Sequence, residues 1–231
     1  MKPYQKIAIQ ECGEALIPIP LQDFAVVSPH PYEALGAPYG NHSPYFLREG
    51  VLQQLQQAQL SLQTQVPGWR LQIFDAYRPI PVQQFMVDYT FDQLAIAEGL
   101  NPNTVDPETR SRLHTQVIEF WAVPSPNPAT PPPHSTGAAI DLTLVDDNGV
   151  TLNMGSALDE ISPRSYPNHF EKSTHAPEQQ YHHHRSLLNN AMAAAGFRQH
   201  PNEWWHFSLG DQLWAWQMGA GTIARYGKAP T

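Results

Sequence analysis

Three short stretches of this 231-residue chain carry side chains that could do chemistry together. His134 and Asp141 stand seven residues apart, Glu203 and His206 stand three apart, and Arg78 sits directly ahead of a proline. Two histidines and one carboxylate make a recurrent three-ligand set for catalytic zinc, with the fourth position left to water. The remaining carboxylate, held close but unligated, can take a proton from that water. A nearby guanidinium can steady the oxyanion that forms when water attacks a carbonyl. Which carboxylate ligates stays open at this level. Each residue also has an ordinary reading. A histidine or aspartate at a strand end is most often a satisfied hydrogen-bonding group, and an arginine before proline is most often a surface ion-pair partner. Glu203 fits that reading poorly, because it leads into Trp204-Trp205 and a carboxylate in an apolar run is costly unless paired or used.

The elements that must hold these residues follow from periodicity. Residues 14–42 read as an irregular lead-in with one strand near Phe24–Val27. Ser43-Pro44 predicts a helix start, and Val51, Leu55, Ala58 and Leu62 repeat at helical spacing until Pro67-Gly68 stops the run. Trp69, Leu71 and Ile73 alternate as in a strand that runs into Asp75-Ala-Tyr-Arg78-Pro79. Val82, Phe85, Met86 and Tyr89 predict a second helix closing near Gly99, and Asp106-Pro107-Glu108 opens a third. Six of the ten residues from Pro124 to Pro133 are proline, which predicts a stiff extended loop delivering His134.

Ala138–Val145 then reads as an alternating strand, with Asp146-Asp147-Asn148-Gly149 turning Val150–Leu152 back as a hairpin partner. Residues 155–177 lack periodicity, and Pro177 opens a fourth long helix striped by Leu187, Leu188, Ala191 and Ala195. The segment from Glu203 to Phe207 reads as a further strand. In regular β geometry Glu203 and His206 would point to opposite faces, so both can reach one site only if the strand begins near His206. The expected fold is α+β: a single domain over residues 1–231, built on a small, mostly antiparallel sheet flanked by helices.

The motifs themselves resemble a known family. His134-Ser-Thr-Gly137-Ala-Ala139-Ile-Asp141 resembles the S-x-H-x-x-G-x-A-x-D signature of zinc D-alanyl-D-alanine peptidases, and Glu203-Trp204-Trp205-His206 resembles their E-x-W-H signature. Asp75-Ala-Tyr-Arg78-Pro79 is similar to the D-x-Y-R-P segment of VanX-type D-alanyl-D-alanine dipeptidases, and Met154-Gly155 followed by Asp159 resembles their M-G-x-x-x-D stretch. The likeness covers a motif-bearing core at residues 70–210.

The resemblance implies one Zn²⁺ per chain, held by His134, Asp141 and His206. Glu203 would serve as general base and acid, Arg78 would steady the tetrahedral intermediate, and Asp159 would face the substrate ammonium. It implies hydrolysis of D-alanyl-D-alanine or a similar D,D-dipeptide. The alternatives are a D,D- or L,D-carboxypeptidase acting on cell-wall peptides, and a zinc-binding module without catalysis. Two features depart from the pattern: Pro132 stands where the signature has serine, and the first 45 residues, a region from which the resemblance implies part of the pocket wall, leave Tyr32, Tyr39 and Tyr45 without an assigned role.

Composition bounds the rest. A formal charge of −8 argues against a nucleic-acid partner, which needs clustered Lys and Arg. No apolar run reaches membrane-spanning length and no targeting signal stands out, so the expected compartment is the cytoplasm. One cysteine, Cys12, excludes an internal disulfide. Twenty-three prolines would suit a disordered chain, but 41% hydrophobic residues supply a core. Oligomeric state is not legible. His182-His183-His184 reads as a solvated helix face, since consecutive helical residues diverge by about 100°. His169, His175 and His200 lie in loops near the site in sequence and read as surface residues, with contact between one of them and substrate or product as the alternative, and Trp214 and Trp216 read as core packing of the tail.

Overall fold

A computed structural model describes residues 2–230. A five-stranded sheet carries the architecture. Its strands are β2 (Ala25–Val26), β4 (Arg70–Asp75), β5 (Ala139–Val145), β6 (Arg198–Gln199) and β7 (His206–Ser208), in the spatial order β2-β4-β5-β7-β6. Only the β2–β4 pair is parallel; the other three are antiparallel. β1 (Leu16–Pro18) and β3 (Phe46–Arg48) form a separate two-stranded antiparallel sheet. Six α-helices lie among the described residues: α1 (Pro31–Ala34), α2 (Glu49–Gln65), α3 (Ile80–Ala97), α4 (Pro107–Phe120), α5 (Ala176–Ala194) and α6 (Gln212–Met218). The α+β expectation is met.

Burial divides the sheet into two faces. Leu71, Ile73, Ile140, Leu142, Leu144 and Phe207 join one apolar cluster with the inner stripes of α2 and α5. The opposite face carries polar side chains, and across adjacent strands Asp75 pairs with Asp141 and Asp141 with His206. A second apolar cluster, built from α3, α4, Tyr32, Tyr39 and Trp121, stands beside Phe74. Asp75 reaches its position because β4 shifts register after Ile73, placing one extra residue against β5. Such a bulge re-aims the side chain that follows it.

Several expectations change. The helix expected from Ser43-Pro44 begins at Glu49, because Phe46–Arg48 pairs instead with Leu16–Pro18. β5 is buried at every position rather than only on alternate ones, since it is the central strand of the sheet. The return of Val150–Leu152 amounts to a single bridge between Thr151 and Val145. The proline-rich loop is not uniformly extended; Thr130 N–H donates to Asn127 O at 3.0 Å and makes a turn within it. His184 is buried, with Nδ1 2.9 Å from Asn153 O, whereas His183 is exposed, so the triplet does not form one solvated face. Trp216 is exposed and does not pack in the core, while Trp214 Nε1 donates to Gly196 O at 2.9 Å.

Candidate metal and catalytic centre

The chain turns sharply before β5 so that His134 faces the polar side of the sheet. Pro133–Thr136 forms a single 3-10 turn closed by Gly137 at φ +71°, a conformation open to glycine at little cost. A Cβ at Gly137 would overlap the Leu16 side chain. Arg48, fully buried at the end of β3, donates from Nε to Thr136 O at 2.8 Å and from its backbone N–H to Gly137 O at 2.8 Å. The two-stranded sheet thereby fixes the turn that presents His134. On the other side, Ser135 Oγ donates to Arg78 O at 2.7 Å and Arg78 N–H donates to His134 O at 3.3 Å.

His134, Asp141 and His206 converge, with one potential ligand atom from each lying within 4.8 Å of the others. His134 Nε2 is 3.1 Å from His206 Nδ1 and 3.2 Å from Asp141 Oδ2, and His206 Nδ1 is 3.1 Å from Asp141 Oδ1. The outer hydrogen bonds assign the protons. His134 Nδ1 lies 2.7 Å from Ala76 O, a carbonyl that can only accept, so Nδ1 carries the hydrogen and Nε2 is bare. Ser208 Oγ donates to Asp211 Oδ2 at 2.8 Å, so it accepts from His206 Nε2 at 3.3 Å and leaves His206 Nδ1 bare.

Three lone-pair donors therefore face one another, and Asp141 Oδ1 has no hydrogen-bond donor. Buried acceptors at this spacing repel unless a cation sits among them. Tetrahedral bonds of 2.0–2.1 Å put ligand atoms about 3.3 Å apart, close to the separations seen. The residues fit a zinc-type ion.

Glu203 lies outside this triangle, with Oε2 3.7 Å from His206 Nδ1 and Oε1 buried without a hydrogen-bond partner. Burial and the neighbouring Asp141 push its carboxyl well above the ordinary range. Such a group accepts a proton readily. β7 begins at His206, and residues 203–205 are irregular, so Glu203 and His206 both reach the same pocket.

Arg78 is buried and heavily tied. Its Nη2 donates to Asp75 Oδ2 at 2.8 Å, Asp141 Oδ2 at 3.2 Å and Tyr32 Oη at 3.2 Å, and its Nη1 donates to Gln83 Oε1 at 2.9 Å. Nη1 keeps a second hydrogen beyond the one given to Gln83. Asp159, at φ +60°, receives the Tyr32 hydroxyl at 2.8 Å, and its carboxyl is pushed up to about 7, chiefly by burial and then by Asp141. All six residues singled out in the sequence line one pocket.

A family model described as D-ala-D-ala dipeptidase matches residues 26–222. The chain belongs to this family of metallopeptidases. A Synechocystis sp. protein named D-alanyl-D-alanine dipeptidase is 51% identical over 99% of this chain and 97% of its own length. A protein of the same name from Escherichia coli is 33% identical over 63% of this chain and 58% of its own length. One from Enterococcus faecalis is 30% identical over 63% of this chain and 64% of its own.

Several residues gain a place that the sequence did not give them. Asp75 is fully buried and meets His30, Tyr39 and Arg78; its motif was visible, but its partners lie 36 and 45 residues away in the lead-in. Tyr32 bridges Arg78 and Asp159. Tyr45 donates to Val27 O at 3.1 Å. His200, expected at the surface, is buried with its ring 5.5 Å from that of His206. Its spacing of three from Glu203 was the available signal. His169 and His175 are exposed, as expected, as is Cys12.

Proposed function

We propose that this chain is a zinc-dependent dipeptidase that cleaves D-alanyl-D-alanine or a close D,D-dipeptide. The observation that supports the reading is the Glu203 carboxylate, with Oε1 buried and without a hydrogen-bond partner, beside three converging lone pairs. His134 Nε2, Asp141 and His206 Nδ1 would hold the ion, and an N₂O donor set suits zinc. Zinc, when bound, supplies Lewis-acid activation of the water and the peptide carbonyl.

The chain's own residues do the rest. Glu203 takes the proton of the attacking water and returns it to the leaving amine nitrogen as the C–N bond breaks. Arg78, through the spare hydrogen on Nη1, meets the oxyanion. Asp159 faces the substrate ammonium, a contact that favours a dipeptide with a free amino group over a longer peptide blocked at that position. The reading takes the whole chain as one domain acting in the cytoplasm, where an exposed single thiol such as Cys12 is tolerated.

Metal analysis of the purified protein, paired with hydrolysis of D-alanyl-D-alanine and of an N-blocked tripeptide ending in D-alanyl-D-alanine, tests this. One zinc per chain with cleavage of the dipeptide alone is expected. Preferred release of D-alanine from the tripeptide would assign a carboxypeptidase. Zinc without hydrolysis of either would leave a binding module.

A further inference from the structure

The family match begins at residue 26, yet part of the pocket comes from the segment before it. Lys2 and Tyr4 share the pocket wall with Arg78, His134, Asp159 and Glu203. The placement is supported along the length of this arm. Ile9 bridges Ala224, Gln10 N–H donates to Ala224 O at 2.8 Å, and Cys12 N–H donates to Arg225 O at 3.0 Å. Gln212, at the start of α6, donates to Ile7 O at 2.6 Å. Lys2 N–H donates to Gln5 Oε1 at 2.8 Å and opens a 3-10 turn over Pro3–Lys6 in which Tyr4 is buried. Lys2 Nζ then reaches Trp121 O at 3.4 Å, and the Trp121 ring lies 5.0 Å from the Arg78 guanidinium.

The pocket has two cations among its described lining residues, Arg78 and Lys2. Arg78 is held by Asp75, Asp141, Tyr32 and Gln83. Lys2 has one long contact to a neutral carbonyl, and Glu203 and Glu119 act on it only through space. A half-buried ammonium so weakly matched is a ready partner for an incoming anion. A dipeptide carries its ammonium on one side of the scissile bond and its carboxylate on the other. Asp159 suits the first charge, and the second needs a cation.

We propose that Lys2 binds the free α-carboxylate of the substrate, so that the N-terminal arm restricts cleavage to the bond one residue from a carboxyl terminus. The inference rests on the dipeptidase reading above and adds the recognition of the leaving amino acid.

The test compares D-alanyl-D-alanine with its C-terminal amide, which lacks the charge. Two ratios are measured, kcat/KM in the wild-type zinc protein and Kd by calorimetry in the Glu203→Gln background. A charge-assisted contact predicts a preference for the free acid of about 10- to 100-fold. Lys2→Ala should bring both ratios close to one, Lys2→Glu should favour the amide, and Lys2→Arg should keep most of the preference. An unchanged ratio in Lys2→Ala, or an equal loss for both ligands, would overturn the assignment. If the wild type binds the dipeptide without cleaving it, the dipeptidase reading fails and the Kd ratio alone decides on Lys2. If neither ligand binds, both readings fall.

Discussion

Asp75 Oδ2 accepts two hydrogen bonds from Arg78, at 3.1 Å from Nε and 2.8 Å from Nη2. Its other oxygen is taken by His30 at 3.1 Å and Tyr39 at 3.0 Å. Burial would raise the Asp75 carboxyl, yet Arg78 and His30 hold it below the ordinary range, so it stays ionised beside the guanidinium. Four donors on one carboxylate hold Arg78 in place, with only the second hydrogen of Nη1, beyond the one given to Gln83, left for the pocket. Asp75→Ala strips a buried cation of its main partner and should destabilise the fold by about 3–5 kcal/mol. Thermal unfolding should then fall by roughly 6–20 °C for a chain of this size. A loss below about 2 °C would show that Arg78 has another sufficient counter-charge.

Glu203 is the carboxylate that does not join the three converging lone pairs, and its role should separate cleanly from metal binding. Glu203→Gln keeps shape and removes the proton acceptor. We expect kcat to drop about 10²- to 10⁴-fold, with zinc content measured by metal analysis unchanged. Loss of zinc in this variant would make Glu203 a ligand instead and break the proposed division of labour.

The sequence showed the part of the site that lies on regular, locally patterned elements. Asp141 on a strand, His206 at a strand start and Arg78 before a helix-opening proline all stand where the residue pattern placed them, although β5 is buried on both faces. The start of β7 at His206 followed from alternation together with the requirement, implied by the family resemblance, that Glu203 and His206 reach one site. What stayed hidden depends on contacts between distant segments. His30, Tyr32 and Tyr39 come from an irregular stretch whose only periodicity is tertiary. Phe46–Arg48 became a strand because Leu16–Pro18 offered it a ladder, which outweighs a local helix-start signal. His200 sits in a loop, where polarity suggested the surface, but His206 and Glu203 enclose it.

Asp159 should make substrate affinity depend on pH in a defined direction. Its carboxyl is pushed up to about 7, so it is protonated below that pH and ionised above it. Only the ionised form pairs with an ammonium. KM for a dipeptide should therefore fall as pH rises from 6 to about 7.5, below the range near 8 where an α-amino group loses its own proton. Asp159→Asn should raise KM at pH 7.5 and flatten this dependence. A wild-type KM that rises over the same interval would remove Asp159 from the ammonium site.

The relay behind His206 sets which of its nitrogens can ligate. Asp211 accepts from Ser208 Oγ, which obliges Ser208 to accept from His206 Nε2, and Asp211 itself is locked by Trp214 N–H at 2.8 Å as the cap of α6. Ser208→Ala breaks the relay without removing a ligand or the helix cap. His206 then loses the partner that fixes its tautomer and ring orientation. Outer hydrogen-bonding partners of this kind typically contribute 10- to 100-fold to metal affinity. Zinc affinity measured by competition with a chelator should fall by about that factor. Thermal unfolding of the metal-free protein should fall by roughly 2–12 °C, since the buried His206 Nε2–H and Asp211 Oδ2 lose the hydroxyl between them at a cost of about 1–3 kcal/mol. Unaltered zinc affinity in Ser208→Ala would mean that backbone geometry alone orients His206.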